Sequence, residues 1–360
     1  MALPNLHALE DCADFTKVVQ PFIPQFYDLP ARLLDVFAGR ENFLQLYAET
    51  NPLISGFALS LALGAVFLVV AEINRNYSQV DRCWSLLPTL YIAHFDAWAR
   101  LHGMPSQRID AALIFSTIWS IRLTRNYWRK GGYNVGSEDY RWEIVRRNVP
   151  KAVFHVFNWT FISFLQSILL FLIAAPVYTV LLASTIEPDL TSADVAAMAV
   201  NLGLVLTEYI ADEEQWAYQS AKKLYKDTGK ATGGYERADL DRGFITSGLW
   251  GYSRHPNFAA EQSIWFVLYQ WSCYATRTLY NWAGVGPSFL ILLFQGSTWL
   301  TELITAGKYP EYVEYQRSVG MFTPKALSAY KTPGPKAPQI IRTSELAKRQ
   351  QEKEKQQKQK

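Results

Sequence analysis

Cysteine is scarce. Only Cys12, Cys83 and Cys273 occur, odd in number and far apart. That excludes a disulfide framework and a paired-cysteine zinc site, so no metal is expected. Net charge is also small, +3, and much of the lysine sits in the last segment. Nothing here supports a nucleic-acid partner. The opening residues, MALPNLHALEDCADF, lack the basic-then-apolar order of a secretory signal. The first apolar span is therefore expected to act as its own membrane signal. There is no internal repeat. Mean hydropathy is −0.04, as in a soluble protein.

That average conceals bunching. Leu53 to Ala71 carries no charge, and Val153 to Ile186 carries none apart from His155. Uncharged runs of about 18 residues or more read as membrane spans. The hydropathy pattern predicts spans at 53–71, 84–99, 110–124, 153–184, 194–210, 259–276 and 283–304. The fourth is too long for one upright crossing, which takes about 20 residues. Tilt, a kink at Pro176 or an interfacial beginning would each accommodate it. The expected fold is all-α: a polytopic helical membrane protein with six or seven transmembrane helices and a cytosolic cofactor pocket. Residues 1–50 form a non-spanning segment in which Pro21, Pro24 and Pro30 interrupt any long helix, with a short amphipathic helix over 31–46. Residues 51–328 form the transmembrane domain. Residues 329–360 form a basic, Gln-rich tail that cannot bury a core and is expected to be disordered.

Basic residues cluster after the third span, from Arg122 to Lys151, and after the fifth, from Lys222 to Arg254. The intervening STIEPDLTS is acidic. The basic segments and the C-terminus are therefore expected on the cytosolic side.

Polar residues inside the spans follow helical spacing. Asn201, Glu208, Asp212, Gln215, Gln219 and Lys222 fall within roughly an 80° sector at 100° per residue. A carboxylate facing lipid is costly, so Glu208 is expected to look into protein or a wet cavity. In the fourth span Asn158 and Gln166 are explained by hydrogen bonds between helices. Asp81-Arg82 is equally consistent with an ion pair at the interface.

The densest mixture of functional groups is GLWGYSRHPNFAAEQ, from Gly248. Pro256 suits the first helical turn, where its missing N–H is not needed. Free backbone N–H groups, Arg254 and His255 at a helix start make an anion site. Gly248 and Gly251 permit close approach. Trp250, Tyr252 and Phe258 offer flat faces for a ring. Phosphate plus aromatic ring is what a nucleotide presents; lipid headgroups are the plainer alternative. Downstream, Tyr309, Tyr312 and Tyr315 recur every three residues, after Glu302 and Lys308.

These segments resemble the steroid 5α-reductase and sterol C14-reductase superfamily of membrane enzymes and, more narrowly, the DUF1295 family. The match rests on GLWGYSRHPNFAAEQ, on Lys308-Tyr309-x-x-Tyr312-x-x-Tyr315, on Asp81-Arg82-x-Trp84-Ser85 and on the block from Arg129 to Trp142. The resemblance implies NADPH bound from the cytosolic side. It carries over Arg254, His255, Asn257, Glu261, Glu302, Tyr309 and Tyr315 as cofactor residues, with Asp212 and Gln215 as looser matches. Phe258 stands where the pattern has tyrosine, and Ala260 where it has glycine.

A reductase of this kind moves hydride from NADPH to an electron-poor C=C bond. A donor must hold the substrate oxygen, and another group must supply a proton. Tyr91, Asp81 and Glu208 are the candidates. The substrate is expected to be a lipophilic small molecule, sterol-, prenyl- or acyl-like, reached from the bilayer, with the endoplasmic reticulum as default location. Two rival readings stand beside this one. The first is an S-adenosylmethionine-dependent methyltransferase of the isoprenylcysteine type. The second is a non-catalytic sterol- or nucleotide-binding membrane protein.

Overall fold

The computed structural model describes residues 2–331. The tail expected over 329–360 lies outside them from residue 332 onward. Among the described residues all regular structure is helical, apart from one isolated parallel bridge between Ser253 and Gly320. The chain divides into two compact units. Among the described residues, one comprises 2–215 with 255–310 and the other 216–254 with 311–331.

The first unit begins with α1 (Phe15–Val18), α2 (Ile23–Phe37) and α3 (Phe43–Glu49). The Asn42 side chain caps α3 by accepting from the Leu44 N–H. Asn51 does the same for α4 (Pro52–Asn74), which has proline in its first turn and ends at Arg75 in a left-handed conformation. α5 (Gln79–Cys83), α6 (Leu87–Leu101), α7 (Gln107–Arg129) and α8 (Tyr140–Asn148) follow.

The long apolar run then folds as α9 (Lys151–Phe157), a π-helical stretch (Asn158–Leu165) and α10 (Gln166–Leu172). It breaks at Ile173–Ala175 and resumes as α11 (Pro176–Ser184). The break sits at Pro176, because proline inside a helix removes a hydrogen bond and crowds the preceding turn. Gly286 abuts this break: a Cβ there would lie 2.2 Å from the Leu172 carbonyl oxygen. Along α4, Gly56 faces the Phe171 ring and Gly64 faces Phe164 and the Ser163 carbonyl, so α4 packs closely on this segment. α12 (Ser192–Thr228) runs from the first unit into the second; α14 (Pro256–Ala275) and α15 (Val285–Lys308) complete the first.

Among the described residues, four helical segments are long and apolar enough to cross a membrane: Pro52–Asn74, Lys151–Ser184, Ser192–Thr228 and Trp282–Lys308. The sequence pattern counts seven. α6, α7 and α14 do form helices at the other three positions. However, α6 has 15 residues, about 22 Å of rise against a hydrocarbon core near 30 Å. α7 carries Arg108, Asp110, Arg122, Arg125 and Arg129. The Lys151–Ser184 run is 89% buried over its most apolar window, against 33% for Pro52–Asn74 and 17% for Trp282–Lys308. Its hydrophobicity therefore serves the protein core. Asn158 donates to Glu72 on α4 at 2.9 Å, the interhelical bond expected of it.

The second unit contains the end of α12, α13 (Arg237–Arg242) and α16 (Tyr312–Ser318). Glu236 and Asp239 form a capping box on α13, and Gly243 ends it at φ 86°. Tyr218, Ala221, Leu240, Ile245 and Trp250 make its core.

Candidate functional site

In the first unit α7, α12 and α14 are tied together at two levels. At one, Arg108 donates from Nε to Asp194 Oδ2 at 3.0 Å and from its terminal nitrogens to the Glu187 and Asp189 carbonyls. Asp194 also accepts from Trp271 Nε1 at 2.6 Å and from the Thr191 N–H and hydroxyl. This ion pair is fully buried and richly bonded, a structural lock.

At the other level the same residue types are arranged differently. Arg122, fourteen positions after Arg108, pairs with Glu208 at 2.7 Å, Asp212 at 2.8 Å and Glu261 at 3.4 Å. Glu261 accepts from the indoles of Trp119 at 2.8 Å and Trp265 at 2.9 Å. Asn257 donates to Asp212 Oδ1 at 3.2 Å. Arg122, Glu208, Asp212 and Glu261 are all buried. Here one guanidinium faces three carboxylates, and hydrogen bonding is incomplete. Arg122 Nε and Gln215 Oε1 are buried without a hydrogen-bond partner, as is the whole amide of Asn201 two turns along α12, and Glu208 Oε2 meets Arg122 as an ion pair without hydrogen-bond geometry. Buried polar atoms of this kind are normally satisfied by protein, water or ligand.

Pro256 opens α14 as its chemistry requires. Just before it His255 Nε2 lies 2.9 Å from Glu302 Oε1 of α15, and its ring stacks on Phe258. Tyr309 follows the end of α15, with the Lys308 ammonium 5.4 Å from its ring centre.

In the second unit Arg254 turns inward. Its guanidinium donates to the Gln316 carbonyl at 3.0 Å and to that of Val319, and its own N–H donates to Gly320 O at 2.9 Å. It thereby holds the end of α16. Tyr315 donates its hydroxyl to the Trp250 carbonyl. Trp250 is buried and Tyr252 exposed. A Cβ on Gly251 would stand 3.2 Å from the Thr246 oxygen and the Ala329 side chain, so its close approach is to the chain itself. Arg254 is 7% exposed and His255 9%; neither faces bare solvent.

The sequence-derived candidates thus separate. Glu208, Asp212, Asn257 and Glu261 converge in one cluster. Arg122, Trp119 and Trp265 belong to it and escaped sequence reasoning; the signal was an arginine inside an expected span. Asp81 and Tyr91 make other contacts. Asp81 accepts from Trp142 Nε1 at 2.7 Å, and burial pushes its carboxyl above the usual range. Around it Ser78 accepts from the Asp139 N–H, the Tyr77 N–H donates to Glu138, and Arg82 donates to the Ser137 carbonyl. The Asp-Arg-x-Trp-Ser loop and the Glu-Asp-x-Arg-Trp block therefore clamp each other. Tyr91 is fully buried edge-on to Phe171, its hydroxyl without a partner. A cavity of about 560 Å³ lies elsewhere in this unit, lined by Arg32, Glu49, Trp98 and His102. Arg32 and Glu49 pair with each other there, so it brings no comparable chemistry.

The sequence profile of the DUF1295 family, described as proteins of unknown function, matches residues 67–319. The chain belongs to this family. An uncharacterized protein of Schizosaccharomyces pombe is 39% identical over 325 residues, covering 90% of this chain and 93% of the relative. No solved structure matches. The profile takes in both mutually clamped loops, the Arg122 cluster and the His255–Glu302 pair, and ends within the segment that Arg254 holds.

Proposed function

We propose that this DUF1295 member is an integral membrane oxidoreductase that uses NADPH to reduce a C=C bond of a lipophilic substrate. The observation that carries the reading is the contrast along α7, α12 and α14: Arg108 sits in a saturated set of partners, whereas Arg122 sits in an unsaturated one. A purely structural pair would be expected to look like the first.

The unsatisfied atoms fit one end of the cofactor. Arg122 Nε is a donor, Gln215 Oε1 is an acceptor, and the Asn201 amide offers both. That mixture suits an amide and hydroxyls, as in a nicotinamide riboside. A phosphate would meet three carboxylates there and be repelled, so the phosphates require other groups. Arg254, already engaged with carbonyls, is a weaker candidate for them than its sequence context implies. NADPH, when bound, supplies the hydride. Trp119, Trp265 and Asn257 orient the acids, and Glu208, fully buried beside Arg122 and Glu261, is the preferred proton-holding group among Glu208, Tyr91 and Asp81. We further infer that α6, α7 and α14 also cross the bilayer, with exposed apolar residues such as Leu90, Ile114, Ile118, Ile121 and Phe266 toward lipid and the Arg122 end cytosolic.

Purified protein in mild detergent tests the reading. NADPH should quench tryptophan fluorescence saturably, with Trp119→Phe and Trp265→Phe removing most of the signal, and S-adenosylmethionine should not. Saturable quenching by S-adenosylmethionine alone would replace the reductase with a methyltransferase.

A further inference from the structure

The outer face of the N-terminal helices takes no part in that chemistry, yet it is conspicuously apolar. Along α2, Tyr27, Pro30, Leu33, Leu34 and Phe37 fall within an arc of roughly 120° at 100° per residue. Phe37 is 85% exposed, Tyr27 73% and Leu34 65%; Phe43 and Leu44 at the start of α3 are exposed as well. The inner side of these helices is apolar too: Phe22, Leu29, Leu46 and Ile54 form a buried cluster. The covered and exposed residues of α2 adjoin on one broad apolar half, opposite Asp28, Arg32 and Asp35, and the exposed part of that half needs an apolar neighbour as well.

The depth of α2 indicates which neighbour that is. The Phe26 ring packs on Phe57 of α4 at 5.5 Å. Phe57 lies five residues into the span, about 7.5 Å along its axis. α2 therefore runs beside the first turns of a membrane helix, at the level where headgroups meet acyl chains. The outward residues of α4 itself, Leu59, Val66, Val69 and Ile73, are exposed, so the apolar face of α2 continues a lipid-facing one. Polar side chains of the same helices are matched among themselves: Arg32 with Glu41 and Glu49, Arg40 with Asp35.

We propose that α2 and the start of α3 form an interfacial platform, with the Tyr27–Phe37 stripe and Phe43–Leu44 inserted into the lipid leaflet at the N-terminal end of α4. Its affinity is hydrophobic, not electrostatic, because Ile23–Glu49 holds two arginines against four acids. Neutral lipid therefore suffices.

The test uses the full chain reconstituted in phosphatidylcholine vesicles. Spin labels are placed singly at Leu34→Cys and Phe37→Cys, and at Asp28→Cys on the opposite side as reference, in a Cys83→Ser background. At residues 34 and 37, collision with oxygen should exceed collision with an aqueous nickel chelate several-fold, with the order reversed at 28. Replacing part of the phosphatidylcholine with phosphatidylserine should change neither ratio. Equal nickel access at all three positions would overturn the proposal. So would protection of 34 and 37 from both reagents, which would mean that protein covers the face. A ratio that moves with phosphatidylserine would overturn its hydrophobic basis.

Discussion

Replacing Arg122 by glutamine removes the guanidinium that Glu208, Asp212 and Glu261 share. Two unit charges 4 Å apart attract by about 4 kcal/mol at an effective dielectric of 20. Three such attractions oppose the cost of holding the ions out of water, several kcal/mol each. Three like charges also repel one another across the same small volume. Removing one partner of a buried pair typically costs about 3–5 kcal/mol, because the remaining charge stays buried. Here more than one carboxylate is left, so the upper part of that range applies. At roughly 2 °C per kcal/mol for a unit of this size, the midpoint should fall by about 8–10 °C.

The assay is thermal unfolding of detergent-solubilised protein, with two companions. Arg122→Gln combined with Glu208→Gln and Asp212→Asn should recover most of the loss, since the uncompensated charge goes with the acids. Arg108→Gln should cost a similar amount, but Asp194 neutralisation should suffice to offset it. NADPH should raise the midpoint of wild type and of Arg108→Gln, and not that of Arg122→Gln. A fall under about 2 °C for Arg122→Gln, too small for any buried pair of this type, would refute the charge argument. Equal NADPH protection of both variants would refute the division of labour between the two arginines.

Further outcomes follow from single contacts. Gly286→Ala would bring a methyl within 2.2 Å of the Leu172 carbonyl oxygen and should destabilise the fold as overpacking does, by about 1–3 kcal/mol, read as a lower unfolding midpoint; Gly296→Ala, on the same helix with nothing within 4 Å, should be neutral, and equal midpoints for the two would reject the packing. Arg254→Ala deletes charged hydrogen bonds to the Gln316 and Val319 carbonyls, each worth about 1.5–3 kcal/mol. Amide exchange across 312–321 should then accelerate at least tenfold, and unchanged exchange would remove its structural role. Asp81 has a folded-state pKa raised by burial, so its contribution to stability is present below its unfolded value, about 3.9, and is lost as pH rises through the folded value. Asp81→Asn should thus gain on wild type in unfolding midpoint between acid and neutral pH, and a difference independent of pH would contradict this.

Local chemistry was legible in the sequence wherever it decides by itself. Pro256 opens α14, the chain breaks at Pro176, and helical spacing places Glu208 and Asp212 on one inward face of α12. What the sequence could not separate was two apolar environments. Val153 to Ile186 reads as lipid-soluble, yet it is the most buried of the long segments. Hydropathy cannot tell a neighbour made of lipid from one made of leucine. The same limit applies at α6, α7 and α14, where the hydropathy pattern marks spans but the helices are short or charged for a crossing.

Donors and acceptors posed the harder problem, because a sequence displays them without saying which are engaged. Arg254 looked available to a phosphate and is instead bound to the carbonyls that end α16. Asp81 looked like a candidate acid and accepts the indole of Trp142, sixty-one residues away. Arg122 looked like one more basic residue at a cytosolic boundary and is the centre of three carboxylates. In each case the deciding partner comes from a distant part of the chain. Composition and spacing therefore identified groups capable of chemistry, while only the tertiary arrangement separated saturated groups from unsaturated ones. That separation makes the Arg122 cluster, ahead of the more conspicuous Arg-His-Pro-Asn motif, the first place to look for a bound ligand.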